Sequence, residues 1–272
     1  MGVRTFSGDA HIRAAQRRFV SVDGQCIHYR IQGNGPAIVM LHDSPRSSRL
    51  HLPTMANLSD KFTIVALDTP GYGNSDPLQV TDPEISDFAE ALHKTLEALR
   101  LTTAPLYATH TSAKIALEYA ARYPLASVLI LDGISIPETL PPQQFIESYM
   151  RPFTLDADGG FLSREWTRIR DMIRWFPWFN RSVQTRIPLE VTPAWLQDYS
   201  LDLFSAGPHY SGAYSAAMRY APLPTLRRVC VPTIVTARED DVLYKFLGQV
   251  PLNENENLKT HPLPADWPAP QG

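Results

Sequence analysis

At 272 residues, 44% hydrophobic and 19% charged, the chain has the length and balance of a large globular domain and not of a disordered polymer. A net charge of -3, with no basic run longer than a pair, excludes the electrostatic footprint of a nucleic-acid binder and predicts no membrane partner. Cys26 and Cys230, the two cysteines, supply neither a disulfide framework nor a zinc-ligand pattern, which fits a reducing compartment.

The first residues lack an apolar h-region and no apolar stretch is long enough to span a bilayer, so the expected location is the cytoplasm. Phe19 to Gln32 reads as a hairpin turning at Asp23-Gly24. After the punctuation of Gly33-Asn34-Gly35-Pro36, Ala37 to Leu41 is an uninterrupted apolar run, the pattern of a strand buried on both faces. Phe62–Leu67 and Ser127–Leu131 repeat that pattern, and Thr233–Thr236 repeats it more weakly. Ile85, Phe88, Ala89, Leu92, Leu96 and Leu99 fall at three- and four-residue spacing behind Pro83-Glu84, which predicts a helix. Pro105 to Pro124 reads as a strand, a sharp turn and a second helix. This alternation predicts an α/β fold with a mostly parallel central sheet flanked by helices.

From Pro137 to Pro222 the strand signals vanish and aromatic residues crowd in. The chain is therefore divided into a first core segment, 1–136, a helical aromatic-rich insertion, 137–222, and a second core segment, 223–272. Trp175, Trp178 and Tyr210, together with His209, are expected to line a substrate pocket beneath the insertion. Arg168, Arg170 and Arg174 are expected chiefly as a solvated helix face.

Several segments, in order, resemble the α/β-hydrolase superfamily. His42-Asp43-Ser44-Pro45 is similar to the His-Gly-x-Pro loop, and Asp68 to Pro77, "DTPGYGNSDP", to the D-x-P-G-x-G-x-S turn. Ala108-Thr109-His110-Thr111-Ser112 stands at the G-x-S-x-G nucleophile elbow, and "AREDDV" resembles the G-x-x-D-x-V pattern of the acid. The resemblance implies an α/β-hydrolase fold whose insertion is a lid. It also implies backbone N–H groups of Asp43 and Thr111 as the oxyanion hole, and Asp240 as the acid, with Asp132 as a second candidate. His42, Ser44 and Asp132 would then stand at the pocket edge.

The elbow leaves three registers open. Centring on His110 puts Ala108 and Ser112 at the two glycine positions, where Cβ atoms crowd. Thr111 would require a β-branched residue there, and Ser112 would require His110 and Lys114. The His110 register suits the crowding best, and histidine tolerates the positive φ such a turn demands. No histidine follows the last strand, read as Leu258 to Leu263; His261 lies inside it, and the proline-rich end cannot be helical. A Ser-His-Asp triad in its usual form is thus missing.

The expectation is an enzyme in which His110 is the general base, supported by Asp240 and Asp43, acting without a covalent serine, cofactor or metal on a small, partly apolar carbonyl-type substrate. Hydrolysis through activated water and lyase or proton-transfer chemistry both fit. A non-catalytic ligand-binding protein of the same fold is the alternative, and a serine esterase using Ser112 a third. Without a closing helix, sheet edge and apolar surface would be left for a second copy, as in a homodimer, to cover.

Overall fold

A computed structural model describes residues 14–187 and 192–265; the chain end from residue 266 lies outside the described residues. The alternating residues of the first hairpin form β1 (Gln16–Val22) and β2 (Gln25–Gly33). Asp23 and Gly24 join them at φ 51° and 81°, the backbone that matches a two-residue turn to strand twist. The apolar runs form β3 (Ala37–Leu41), β4 (Thr63–Leu67), β5 (Leu106–Thr109), β6 (Leu129–Asp132), β7 (Thr233–Arg238) and β8 (Leu258–Leu263).

These strands make one eight-stranded sheet in the order β1-β2-β4-β3-β5-β6-β7-β8. β2 runs antiparallel to both of its neighbours, and every pair from β4 to β8 is parallel. Parallel strands end along a common edge, so the residues after β3, β5, β6 and β7 meet there. Those residues include Asp43, His110, Gly133 and Asp241.

The helices before the insertion are α1 (Leu52–Leu58), α2 (Ile85–Leu99) and α3 (Thr111–Arg122). α2 opens with a reciprocal cap, in which the N–H of Glu84 donates to Asp87 Oδ2 at 2.8 Å, and it stops where Arg100 turns to φ 57°. Its buried face carries Ile85, Phe88, Ala89, Leu92 and Leu96, the residues that the spacing singles out. The insertion folds into α4 (Gln143–Tyr149), α5 (Gly160–Arg174), α6 (Pro193–Ala206) and α7 (Gly212–Arg219), and α8 (Leu223–Arg228) leads back to β7. Tyr149, Trp178, Leu203 and Ala213 of the insertion belong to the same apolar cluster as Val39, Leu106 and Leu129 of the sheet. At about 1.5–3 kcal/mol for each large apolar side chain, this shared burial is what holds the insertion on the strand ends.

Asp68 fixes the loops on the other side. It is buried and accepts from His28 Nδ1 at 2.7 Å, the N–H of Ser48 at 2.6 Å and the N–H of Asn74 at 2.9 Å. Burial opposes its charge, but the His28 bond, the neighbouring His42 and the two amides hold the carboxyl at about 2. A Cβ on Gly73 (φ 56°) would stand 2.0 Å from Asp68 Oδ2, which is why the turn carries glycine there.

Candidate active site

The turn between β5 and α3 places His110 at φ 46° and ψ −108°, and it is the residue of the 105–124 stretch with positive φ. Its N–H donates to the carbonyl of Asp132 at 2.9 Å, and its carbonyl accepts from the N–H of Ala113 at 3.1 Å. Ala108, Ala113 and Ala116 are fully buried around it, so small side chains pack the bend. Ser112 is buried too, and its hydroxyl donates to the carbonyl of His42. That bond ties the start of α3 to the loop after β3.

The His110 ring points along the strand ends to β7. Its Nε2 lies 2.8 Å from Asp241 Oδ2, and the two side chains are 39% and 18% exposed. Asp241 is itself fixed, since its Oδ1 accepts from the N–H of Leu243 at 2.8 Å and its own N–H donates to the carbonyl of Arg238 at 3.0 Å. Asp240, expected as the acid partner, instead accepts from Arg238 Nε at 2.8 Å and Nη2 at 2.6 Å. In this turn the two neighbouring carboxylates face different partners, and the one within reach of His110 is Asp241.

Gly133, after β6, makes room for the ring. Its φ is 70°, and a Cβ there would stand 2.6 Å from His110 Cδ2 and 2.7 Å from Nε2. Asp132 lies beside the pair and accepts from the hydroxyl of Tyr107 at 2.6 Å. Neither Gly133 nor Tyr107 announces itself in the sequence; the positive φ at a strand end is a tertiary fact.

Burial works against a charge on His110. The charge and hydrogen bond of Asp241, with Asp43 and Asp132 behind it, outweigh that penalty and push the imidazole up to about 10. Burial also works against the Asp241 carboxylate, and His110 outweighs it and holds that carboxyl below its usual range. The resting form at neutral pH is an imidazolium–carboxylate pair. Asp43 is shifted the other way: burial raises it, more than Arg46, His110 and His42 lower it. Asp132 is likewise raised by burial.

The loop after β3 is held from both sides. His42 is buried, its Nε2 accepts from the N–H of Thr69 at 3.0 Å, and its Nδ1 donates to the carbonyl of Asp43 at 2.7 Å. Both ring nitrogens are therefore engaged in positioning the loop. Ser44 is buried, and the buried Tyr72 donates its hydroxyl to the carbonyl of Tyr210 at 2.6 Å. Arg46, also buried, donates from Nε to Asp202 and from Nη2 to Asp198, each at 2.9 Å, and lies 4.9 Å above the Tyr199 ring. Ser47 adds a bond to Asp202 at 2.8 Å, so α6 is tied to the loop at several points. Thr111 is the first residue of α3, where the N–H has no acceptor within the helix, as an oxyanion donor requires.

The expected pocket residues of the insertion fall in several places. Tyr210 is buried, its hydroxyl bound to the carbonyl of Arg151 and to Arg168, the latter at 2.6 Å. Trp178 is buried under Arg151 with its indole N–H on the carbonyl of Tyr149 at 3.0 Å. Trp175 is partly exposed and bridges the backbone of Arg186. His209 is exposed and lines a cleft of about 260 Å³ with Pro70, Gly71, Pro77 and Phe88, whose walls include neither His110 nor Asp241. Tyr199 and Tyr214, two of the aromatic residues that crowd the insertion, are raised well above an ordinary phenol by burial, aided at Tyr199 by the charge of Asp43 and at Tyr214 by Tyr149 and Tyr199 before Asp43. Tyr149 joins them through a hydroxyl contact with Tyr214 at 3.2 Å.

Comparison with known proteins agrees with the fold. The model of the alpha/beta hydrolase family matches residues 38–264. A 2-(acetamidomethylene)succinate hydrolase from Mesorhizobium japonicum is 31% identical over 124 residues, 45% of this chain and 44% of that protein. A cis-3-alkyl-4-alkyloxetan-2-one decarboxylase from Shewanella oneidensis is 28% identical over 133 residues, 46% and 42% of the two chains. The matched segments thus span less than half of these curated relatives. Among solved structures, Cfl2 from Burkholderia cenocepacia superposes with a TM-score of 0.70 at 21% identity, covering 97% of this chain and 92% of that one. The enol-lactonase from Burkholderia xenovorans superposes with a TM-score of 0.68 at 15% identity, covering 93% of each. At such identities the likeness to the solved structures concerns the fold.

Proposed function

The chain belongs to the alpha/beta hydrolase family, and on that premise we propose that it is an enzyme working by proton transfer from the elbow, with His110 as general base and Asp241 as the carboxylate that orients it. The observation that carries this reading is the 2.8 Å contact between His110 Nε2 and Asp241 Oδ2, made by a residue at φ 46° where the family places its nucleophile. With Nε2 held by the carboxylate, Nδ1 is the nitrogen that takes the proton from a substrate carbon or from water. The N–H groups of Thr111 and Asp43 meet the developing oxyanion or enolate. The burial that raises the Asp43 carboxyl lessens the repulsion it would offer such an anion.

The substrate in this reading is a small, partly apolar carbonyl compound, bounded by Tyr149, Tyr199 and Tyr214. The relatives' names include a hydrolase and a decarboxylase, in keeping with either activated-water hydrolysis or lyase-type proton transfer. Because His110 is pushed up to about 10, its neutral form is scarce at pH 7, near one molecule in about a thousand, but strongly basic. Turnover should therefore rise by roughly tenfold per pH unit until about pH 10.

That resting proton also favours a second reading, a ligand-binding protein whose imidazolium donates to a bound acceptor without turnover. Ester, epoxide and haloalkane panels run beside ligand-induced thermal shifts separate the two. Turnover that falls by about a hundredfold or more in His110→Ala supports catalysis, and shifts without turnover support binding alone. Labelling by a fluorophosphonate would overturn the serine-free chemistry.

A further inference from the structure

The exposed face of α5 has no part in the site. Leu162, Trp166, Arg170 and Arg174 recur every four residues and share one side of the helix. Glu165, Arg168 and Ile169 occupy the buried side. The exposed side continues past the helix end. The N–H of Ile187 donates to the carbonyl of Arg174 at 2.8 Å, and Arg186 bridges Trp175. Arg181 and Arg170 both pair with Asp171, at 2.6 and 2.9 Å, which brings Arg181 and its neighbour Val183 to the last turn of α5.

This face is apolar and cationic together. Eleven large hydrophobic side chains are exposed among the described residues, and six of them lie between 155 and 183: Leu155, Leu162, Trp166, Phe176, Phe179 and Val183. Scattered surface apolar residues need no explanation, but a concentration of this kind marks an interaction surface. Between Leu155 and Ile187, the stretch that holds these apolar residues, there are six arginines and four acidic residues, a local charge of +2 in a chain of net -3. Two of the acidic groups are buried, Glu165 against Arg168 and Asp171 at 1% exposure, and Asp156 pairs with Arg164 at 2.6 Å, whereas the Arg170 and Arg181 side chains remain 38% and 56% exposed. Asp158 is also exposed, so arginines outnumber the acidic groups that reach solvent here.

We propose that this face of the insertion docks on an anionic phospholipid bilayer, with Leu162, Trp166, Phe176 and Val183 entering the headgroup region and Arg170, Arg174, Arg181 and Arg186 pairing with phosphates. A lipid surface is apolar and anionic within a few ångströms, which matches a face where Val183 at 86% exposure stands beside arginines. An acidic protein or a polynucleotide would meet the arginines and gain little from the exposed aliphatic side chains. The net charge of the whole chain averages this excess away, which is why composition predicted no membrane partner. The inference is independent of the chemistry at His110.

The test is co-sedimentation of the full chain with vesicles of phosphatidylcholine alone and of phosphatidylcholine mixed with phosphatidylglycerol. The protein should sediment with the mixed vesicles, far less with phosphatidylcholine alone, and be released by salt. Arg174→Glu with Arg186→Glu should weaken binding at least about 25-fold, from about fivefold per basic residue at an anionic surface. Leu162→Ser with Val183→Ser should weaken it as well. All four positions are exposed, and unchanged circular dichroism shows that the variants fold. Absence of binding to mixed vesicles, or equal binding by wild type and both variants, overturns the proposal. Loss in the charge variant with none in the apolar variant overturns it too, and indicates a purely electrostatic polyanion surface.

Discussion

Replacing Asp241 by asparagine tests the His110 dyad before any substrate is known. The side chain keeps its shape and its turn, and the charge facing Nε2 disappears. Asp241 is the largest influence raising the His110 imidazole, from an ordinary 6.5 to about 10, against a burial penalty that pulls the other way. Removing an opposite charge in contact lowers such a group by about 1–3 units, so His110 should titrate well below 10 in the variant, with Asp43 and Asp132 still supporting part of the shift. The stability consequence has a definite sign. A raised folded-state value means that the pair stabilises the fold fully below pH 6.5 and loses that contribution as pH rises toward about 10. Because the His110 side chain is 39% exposed, solvent screening reduces the effect to roughly 1–3 kcal/mol at mildly acid pH. The assays are a side-chain NMR titration, with His110→Gln for assignment, and urea unfolding at about pH 6 and about pH 9. A wild-type His110 titrating near 6.5, or a titration unmoved by Asp241→Asn, would refute the reasoning.

Other perturbations test the scaffold around the pair. Gly133→Ala introduces a Cβ 2.6 Å from His110 Cδ2 at φ 70°; it should cost about 1–3 kcal/mol and shift the His110 titration, and an unchanged titration would show that the ring has room. Arg46→Ala leaves the buried Asp202 without its main partner and should cost about 3–5 kcal/mol in chemical denaturation, where a loss under about 1 kcal/mol would show the network to be dispensable. Lys114, buried in α3, donates to the carbonyls of Ala217 at 2.8 Å and Tyr220 at 3.1 Å, and burial lowers it to about 7. The unfolded chain therefore binds the extra proton between about 7 and 10.5, so wild type should gain stability relative to Lys114→Met as pH rises through that window; a flat difference would contradict it.

Much of this protein was legible as local pattern. Ala37 to Leu41 is apolar at every position because a strand flanked on both sides has no solvated face, and it is β3 with the same limits. The spacing of Ile85, Phe88, Leu92 and Leu96 reports the side of α2 that meets the core. The small residues around His110 favour its register in the sequence itself, because crowding at a sharp strand-to-helix turn acts on neighbours in the chain. Such constraints are written where they operate.

What the tertiary structure alone decided is which side chains meet across the chain. His110 and Asp241 stand 131 residues apart, and whether Asp240 or Asp241 reaches the imidazole depends on how a few residues turn after β7, with Arg238 tying Asp240 off. His42 carries the same residue type as a catalytic base, yet the Thr69 amide and the Asp43 carbonyl engage both its nitrogens. Tyr210 and His209 are adjacent in sequence, and one is buried against Arg168 while the other faces an outer cleft. Periodicity shows what a segment buries, but the partner of a polar group follows from direction and distance, which are set only once the sheet has assembled.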